Sequence, residues 1–490
     1  MKNKFAVMLV AVFVLTMTTI GVPKKANATV SFAQKYHFAC AVCHTVFPNL
    51  NPFGRAFWRN GFRLPGTNGT PADSTQITEG ISLPNPWPIP LMIEPVIVYQ
   101  HYTNENVNPQ TDGFSIADVA MVASGVFKIY TPLANSISYY VHFGLGEPGT
   151  PPTPSLANPD PYSIGLAQAV ASINGLGSGF GIAPHLFNLK VGEVTTASPY
   201  FYRQGPPLDV PGNIVGGGQG LAVGNDGEGG LIIHARNAGF DLYGTPGYHL
   251  WYKVTVTNDA GSGVGEAADN GAQVTNAMEY SYQLKEYAPI PMGQLEFGYY
   301  GATVAEPTSP TGNGIGAWTN RITVNGIDAD LANDVYELGA TYMVQNDAQP
   351  YGNPSLQSTP ITLDGNTVGN TNSSNGYSEF EIYGRYLFSQ IGNGVMLSAD
   401  YAQYSWTHKD LQEGFLGNGT GGNGCPDNSN LYQAGTYTAN GAACVNEGVK
   451  DEFAIDLNYL LAYNARVFVS YLFTNKSQDD TVGAGLDFAF

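Results

Sequence analysis

Charge is what this chain has least of. Asp, Glu, Lys and Arg make up 12% of its 490 residues, against roughly 25% in ordinary soluble domains. Positive charge is scarcest: 20 Lys and Arg face 39 Asp and Glu, and Lys2, Lys4, Lys24 and Lys25 all lie at the extreme N-terminus. So acidic a balance excludes nucleic acid as a partner, because phosphate binding needs clustered Lys and Arg. It allows a cationic one. Beyond the N-terminal segment no apolar run reaches ~18 residues, which excludes a transmembrane helix. Cysteine is limited to Cys40, Cys43, Cys425 and Cys444. The second pair lies too far along the chain to complete a four-ligand zinc site at the usual spacing.

What is present begins with a leader. Lys2 and Lys4 are followed by the apolar "FAVMLVAVFVLTMTTIGV" and by "ANA" at 26–28, a small-x-small cleavage site. Residues 1–28 read as an export signal, with the mature chain starting at Thr29. The alternative is an uncleaved anchor, against which Lys24 and Lys25 lead straight into the cleavage site. Export permits disulfides.

From Pro90 onward, segments of about ten residues alternate apolar and polar positions, the period of a strand. In "SISYYVHFGLG", Ile137, Tyr139, Val141, Phe143 and Leu145 share one face. In "YHLWYKVTVTN", Leu250, Tyr252, Val254 and Val256 oppose His249, Trp251, Lys253 and Thr255. In "EFEIYGRYLF", Phe380, Ile382, Tyr386 and Phe388 alternate with Glu379, Glu381, Tyr383 and Arg385. Roughly sixteen such segments follow, a usual porin size. Short connections (131–135, 244–247, 288–293, 333–334, 390–394, 463–464) alternate with long Gly, Asn, Ser and Thr-rich ones (195–230, 259–276, 346–375, 408–451). A β-sandwich has no reason to keep that order. A transmembrane antiparallel barrel does, with turns in the periplasm and loops outside. The expected fold is therefore all-β, a porin-like barrel over 90–490. The segment around Ile322–Leu331 alternates poorly. The closing "TVGAGLDFAF" resembles the last strand of bacterial outer-membrane barrels.

"CAVCH" at 40–44 is C-x-x-C-H, the attachment motif of c-type haem. Two thiols, Cys40 and Cys43, can add across the haem vinyl groups, and His44 can then reach the iron as proximal ligand. A thioredoxin-like dithiol would need a βαβ context, and none is visible. Downstream, Asn51 can cap a helix with Pro52 at its first position. Arg55, Arg59 and Arg63 then share one face. They can pair with haem propionates or meet acidic residues of the barrel lumen; both readings stay open. Residues 29–66 form a mono-haem cytochrome c segment too small to bury a core alone, and it is expected to plug the barrel from the periplasmic side. Residues 67–89 read as a linker.

A leader, one C-x-x-C-H, "VFPNLNPFGRAFWRNGFRL" and a barrel together resemble the fused cytochrome–porin iron oxidases of the outer membrane in iron-oxidising bacteria. The most specific part runs from Cys40 to Leu64. The resemblance implies one haem c held by Cys40, Cys43 and His44. It implies oxidation of Fe(II) at the cell surface, with electrons passed to a periplasmic acceptor such as a c-type cytochrome or blue copper protein. The expected site is the outer membrane, with lipid as the surrounding partner. Candidates for the distal iron ligand are His142, His249, His234 and His37. Asp226, Glu228, Glu266 and Asp269 are acidic loop residues better read as loop solvation than as an Fe(II) site. Cys425 and Cys444 share one long loop and are expected to form a disulfide. The competing function is a solute porin whose haem is structural or sensory.

Overall fold

Period two carries through into the structure strand by strand. The computed structural model describes residues 31–46, 49–64, 75–78, 81–83, 91–102, 113–129, 133–145, 164–194, 237–258, 278–308, 318–347, 361–363, 366–368, 375–406, 438–439, 442–443, 451–462, 464–474 and 481–488. Sixteen strands form a closed barrel. In chain order they are β1 (Met92–Tyr102), β2 (Gly113–Lys128), β3 (Ser136–Leu145), β4 (Ile164–Asn174), β5 (Asn188–Val194), β6 (Asn237–Gly244), β7 (Leu250–Asn258) and β8 (Met278–Ile290). Then come β9 (Gly293–Thr308), β10 (Trp318–Ala332), β11 (Tyr336–Asp347), β12 (Asn375–Phe388), β13 (Val395–Trp406), β14 (Asp451–Ala462), β15 (Ala465–Thr474) and β16 (Thr481–Phe488). Each pairs antiparallel with the next, and β16 closes onto β1 with Thr481 opposite Tyr102.

The two faces of this sheet differ as a lipid barrel requires. On β9, Phe297 and Tyr299 are exposed outward, while Glu296 and Tyr300 are buried inside. On β12, Phe380, Ile382 and Tyr386 are exposed, and Glu381, Tyr383 and Arg385 are buried. On β7, Val254 is exposed and Trp251, Lys253 and Thr255 are buried. An apolar belt outside, polar groups inside and no open edge satisfy the backbone in hydrocarbon. The chain is an outer-membrane β-barrel. No helix among the described residues is long and apolar enough to cross a membrane. The poor alternation around Ile322–Leu331 has a local cause. Val324 is buried inside, whereas Asn325 faces outward, where its amide oxygen accepts from the hydroxyls of Tyr282 (3.4 Å) and Tyr299 (3.3 Å).

Connections alternate between the two ends. One end carries the turns 129–135, 175–187, 245–249, 291–292, 333–335, 389–394 and 463–464. The other carries 103–112, 146–163, 195–236, 259–277, 309–317, 348–374, 407–450 and 475–480. β1 starts and β16 ends at the turn end, so the N-terminal segment meets the barrel there. That segment holds helix α1 (Ser31–Tyr36), a 3-10 turn at Cys40–Val42, a short antiparallel pairing of His44–Val46 with Asn49–Leu50, and helix α2 (Pro52–Arg59). Within the stretch expected as linker, Thr75–Thr78 pairs antiparallel with Ile81–Leu83. His234, Asp226, Glu228, Glu266, Asp269, Cys425, Cys444 and the leader lie outside the described residues.

Candidate functional site

The C-x-x-C-H stretch is a single tight turn. The backbone N–H of Cys43 donates to Cys40 O at 3.1 Å, and the 3-10 geometry of Cys40–Val42 brings both cysteines onto one turn. Both thiols are free and half-buried. Burial raises the Cys40 pKa and pushes Cys43 up to about 11, so both are thiols rather than thiolates at neutral pH. His44 follows directly and opens the short strand pairing.

The residues after the motif fix that turn in place. Asn51 does so with both ends of its side chain. Its Oδ1 accepts from Gly54 N at 2.9 Å and caps α2, with Pro52 at the first helical position. Its Nδ2 donates to Val42 O at 3.1 Å and Ala41 O at 3.3 Å. Its backbone N–H donates to Cys43 O at 2.9 Å. Gly54 must be glycine, because a Cβ there would stand 2.1 Å from Cys43 O. Gly61, at φ 66°, ends the helical stretch in the left-handed region. Aromatic rings fill the segment's interior. Phe32 stacks on Phe62 and meets Phe57 edge-on, Tyr36 stacks on Phe38, and Phe38 meets Phe53 edge-on.

The segment is tied to the lumen wall near the turn end. Arg55 Nη1 donates to Asp330 Oδ2 of β10 at 2.9 Å, and its Nη2 donates to Glu337 Oε1 of β11 at 2.6 Å. Arg59 makes a two-pronged pair with Glu296 of β9, at 2.6 and 3.2 Å. Arg59 also lies over the rings of Trp251 and Tyr287. Arg63 meets no carboxylate there. It donates to Asn188 Oδ1 at 2.8 Å and to Pro184 O at 3.2 Å, and burial lowers its pKa. Burial opposes the charge of Arg55 as well, but Asp330, Glu337 and Glu296 overcome it and raise its pKa. Lys35 reaches Val126 O of β2 at 2.9 Å. Val46 packs with Met396 of β13 and Leu460 of β14, and Phe62 stacks on Tyr140 of β3. The contacts therefore run around most of the barrel's inner circumference.

Sequence reasoning proposed Arg55 and Arg59 for either propionates or lumen acids; the structure sets both on lumen acids. It did not single out Glu296, Asp330 or Glu337. The available signal was their place at inward positions of strands close to a turn. Arg385 and Tyr383 complete this group: Arg385 Nη1 lies 3.1 Å from Glu337 Oε2, and the Tyr383 hydroxyl donates to Asp330 and Glu337.

The distal candidates are scattered. His142 is half-buried midway along β3, opposite Val122 and Gln168. His249, expected on the lumen face with Trp251 and Lys253, instead follows the 3-10 turn Pro246–Tyr248 and is exposed, its Nδ1 2.9 Å from Gly247 O. Pro246 and Gly247 close the hairpin early and start the strand one residue later. His37 is exposed, with φ at 54°.

A cofactor can be tested against this donor set. Two uncrosslinked thiols on one turn and the imidazole of the next residue match the three attachment points of a c-type haem. Among the described residues no group of three or more His, Cys, Asp or Glu side chains could hold a bare metal ion.

No family model matches the chain, and no curated protein matches it. Solved structures do. OmpF of Salmonella typhi in complex with daunomycin is 12% identical, with a TM-score of 0.46, over 85% of this chain and all of that one. The outer-membrane channel DcaP of Acinetobacter baumannii is 10% identical at 0.45, over 83% and 99% of the two chains. OmpT of Vibrio cholerae is 10% identical at 0.44, over 82% and 99%. The membrane assignment rests on this chain's own sixteen closed strands, apolar outer face and polar lumen.

Proposed function

We propose that this protein is an outer-membrane electron conduit: it oxidises Fe(II) at the cell surface and delivers the electron to a soluble carrier in the periplasm. The observation that carries the reading is the C-x-x-C-H turn, with two free thiols, clamped by Asn51 and Gly54 and pinned inside the turn end of a closed barrel by Arg55 and Arg59. Cys40 and Cys43 would carry the thioether bonds, and His44 the proximal nitrogen. When bound, haem c supplies a one-electron couple. Each Fe(II) gives up one electron to become Fe(III), and one oxidised carrier takes it up.

The chain's own residues supply the placement. Ion pairs to β9, β10 and β11 hold the attachment turn within the lumen instead of leaving it on a free tether. Phe38 and Phe53, which flank the motif in sequence and meet edge-on, offer it apolar surface. The long connections lie at the opposite end, the end that faces outward in this class of barrel. Substrate therefore arrives at one end, and the carrier is met at the other.

Two measurements test this. A denaturing gel stained for haem peroxidase should show a band at the full mature mass, lost in Cys40→Ala with Cys43→Ala; a band that persists refutes the attachment. Oxidised protein in liposomes, with orientation established by protease access, should be reduced quickly by Fe(II) added at the loop end. No reduction at either end, with an open pore in the same preparation, favours the solute-porin alternative.

A further inference from the structure

Lys190 of β5 is a lumen cation that the wall answers only in part. Arg55, Arg59, Lys285, Arg385 and Arg466 each hold a carboxylate at 2.6 to 3.1 Å. Arg63 has no carboxylate, but it donates to Asn60 O, Asn60 Oδ1, Pro184 O and Asn188 Oδ1. Lys190 fits neither pattern. Its Nζ lies 3.7 Å from Asp241 Oδ2, beyond hydrogen-bond reach. Asp241 is shared with Lys253, which also stands at 3.7 Å. The other oxygen of Asp241 accepts from Thr255 at 2.7 Å, while Oδ2 has no hydrogen-bond partner among the described residues. No hydrogen bond joins the Lys190 ammonium to any described residue. Its side chain is 13% exposed. An ammonium with three N–H donors is thus largely buried against one distant, shared acid, and charge buried on those terms is costly until an anion meets it.

Its position bears on the attachment turn. Lys190 Nζ lies over the ring of Trp58 at 4.6 Å and over that of Tyr243 at 5.3 Å. Trp58 stands one helical turn, about 5.4 Å, along α2 from Gly54, which packs against Cys43 O so closely that a Cβ has no room. The cation therefore rests on the N-terminal segment one turn from the residue that abuts the cysteine pair. The register is fixed by the wall: Lys190 pairs with Asp241 of β6 and with Ser172 of β4.

We propose that Lys190, with the ring of Trp58 against it, is a seat for a carboxylate inside the barrel. Two sources have that chemistry: a propionate of a haem held at Cys40 and Cys43, or a free carboxylate solute in the lumen. The observations favour the propionate. A carboxylate enclosed with the segment has to be paired with a cation. Arg55 and Arg59, the cations of α2 itself, are already taken by Asp330, Glu337 and Glu296. Lys190 touches the same helix with its donors unspent. The propionate source rests on the haem reading above; the seat itself does not.

The test compares full-length wild type with Lys190→Met and Lys190→Arg, with barrel folding checked by heat-modifiable gel migration and seating of the segment by protease access. In haem-loaded protein, losing an ammonium beside a propionate disfavours the reduced iron. Lys190→Met should shift the Fe(III)/Fe(II) equilibrium about tenfold toward Fe(III), a fall in midpoint potential of about 59 mV for one electron. It should also move the propionate bending band in the resonance Raman spectrum, and Lys190→Arg should restore both. In haem-free Cys40→Ala, Cys43→Ala protein the seat is open. Sodium propionate should then change the tryptophan fluorescence saturably, with a Kd of about 1 mM, and the change should vanish with Lys190→Met or Trp58→Phe. The same titration of haem-loaded protein separates the sources. No response there means that the haem holds the seat; a full response, with the potential unchanged in Lys190→Met, assigns the seat to free solute. An unchanged potential and Raman band together with no response in haem-free protein overturns the proposal and leaves Lys190 as a brace for Trp58. If no haem is attached, the haem reading falls alone and the haem-free titration decides the seat. That titration of the protein with Lys190 intact also decides it if Lys190→Met does not fold.

Discussion

Arg55→Met is the perturbation that most directly weighs how the N-terminal segment is held. Arg55 is 2% exposed and bridges Asp330 and Glu337 at 2.9 and 2.6 Å. Its Nε also donates to Leu50 O at 3.2 Å, within its own segment. Removing the guanidinium leaves Asp330 with the Tyr383 hydroxyl and Glu337 with Arg385. Of the two buried carboxylates, only Glu337 then keeps an arginine. Breaking a buried pair from one side costs about 3–5 kcal/mol. At 1.4 kcal/mol per factor of ten, this shifts the balance between seated and unseated segment roughly a hundredfold to several thousandfold. Arg59 on Glu296 still resists complete release. The assay is single-channel recording in planar bilayers, with protease access to residues 29–64 as a second reading. Wild type should be closed almost always. Arg55→Met should open at least about a hundred times more often and lose protection of the segment. Adding Asp330→Asn removes the carboxylate left without an arginine and should restore part of the closure, because a buried pair replaced on both sides is often close to neutral, whereas Glu337 has to stay charged to hold Arg385. Equal open fractions and equal protease protection in wild type and Arg55→Met would refute the reasoning, provided heat-modifiable gel migration shows both barrels folded.

Other outcomes follow from the same geometry. Gly54→Ala drives a methyl to within 2.1 Å of Cys43 O and should cost about 1–3 kcal/mol of overpacking strain, read as less haem stain per folded barrel; full incorporation would show that the turn can shift. Asn51→Ala should lose about 1 kcal/mol for the helix cap and more for its bonds to Ala41 and Val42, measured by thermal unfolding. His185 is held below the ordinary imidazole pKa by burial and by the charge of Arg63. Its contribution to stability is therefore present above pH ~6.5 and is lost as pH falls below it, and an NMR titration midpoint at or above ~6.5 would contradict this. Cys425 and Cys444 should be linked in non-reducing peptide maps, and free thiols in fresh protein would exclude the disulfide.

The barrel was legible because its signals are local. Alternation is visible within ten residues, and the order of short and long connections needs only counting. It failed locally at β10, where Val324 inside and Asn325 outside invert the usual polarity and tyrosine hydroxyls compensate. The C-x-x-C-H stretch was legible as a motif because Cys40, Cys43 and His44 lie within five residues, and the cap of α2 because Asn51 and Pro52 are adjacent. The clamp was not. Arg55 and its carboxylates are 275 and 282 residues apart, and the pairing depends on strand register, which alternation alone leaves open by two residues in either direction. His249 was misplaced for the reverse reason. A strand pattern was extended one residue into a turn that Pro246 and Gly247 close.

The scarcity of charge and the location of the clamp have one physical cause. A barrel wall in lipid can carry charge only on its inner face, so half of every strand is closed to Asp, Glu, Lys and Arg. The charges that remain are concentrated inside and meet across neighbouring strands: Lys285 with Asp328 at 2.6 Å, Arg466 with Asp487 at 2.7 Å, Arg385 with Glu337 at 3.1 Å. Glu296 and Asp330 look instead to the N-terminal segment, through Arg59 and Arg55. A segment as short as 31–64 cannot bury enough apolar surface to order itself. The lumen offers it little apolar surface but does offer buried carboxylates awaiting cations. Arginine at four-residue spacing on one helix face is the cheapest way to meet them, since its planar fork bonds two carboxylates at once and stays charged when buried. The acidic lumen thus makes the segment's fold possible, and the segment's arginines remove the cost of leaving those acids unpaired, so that neither should be fully ordered without the other.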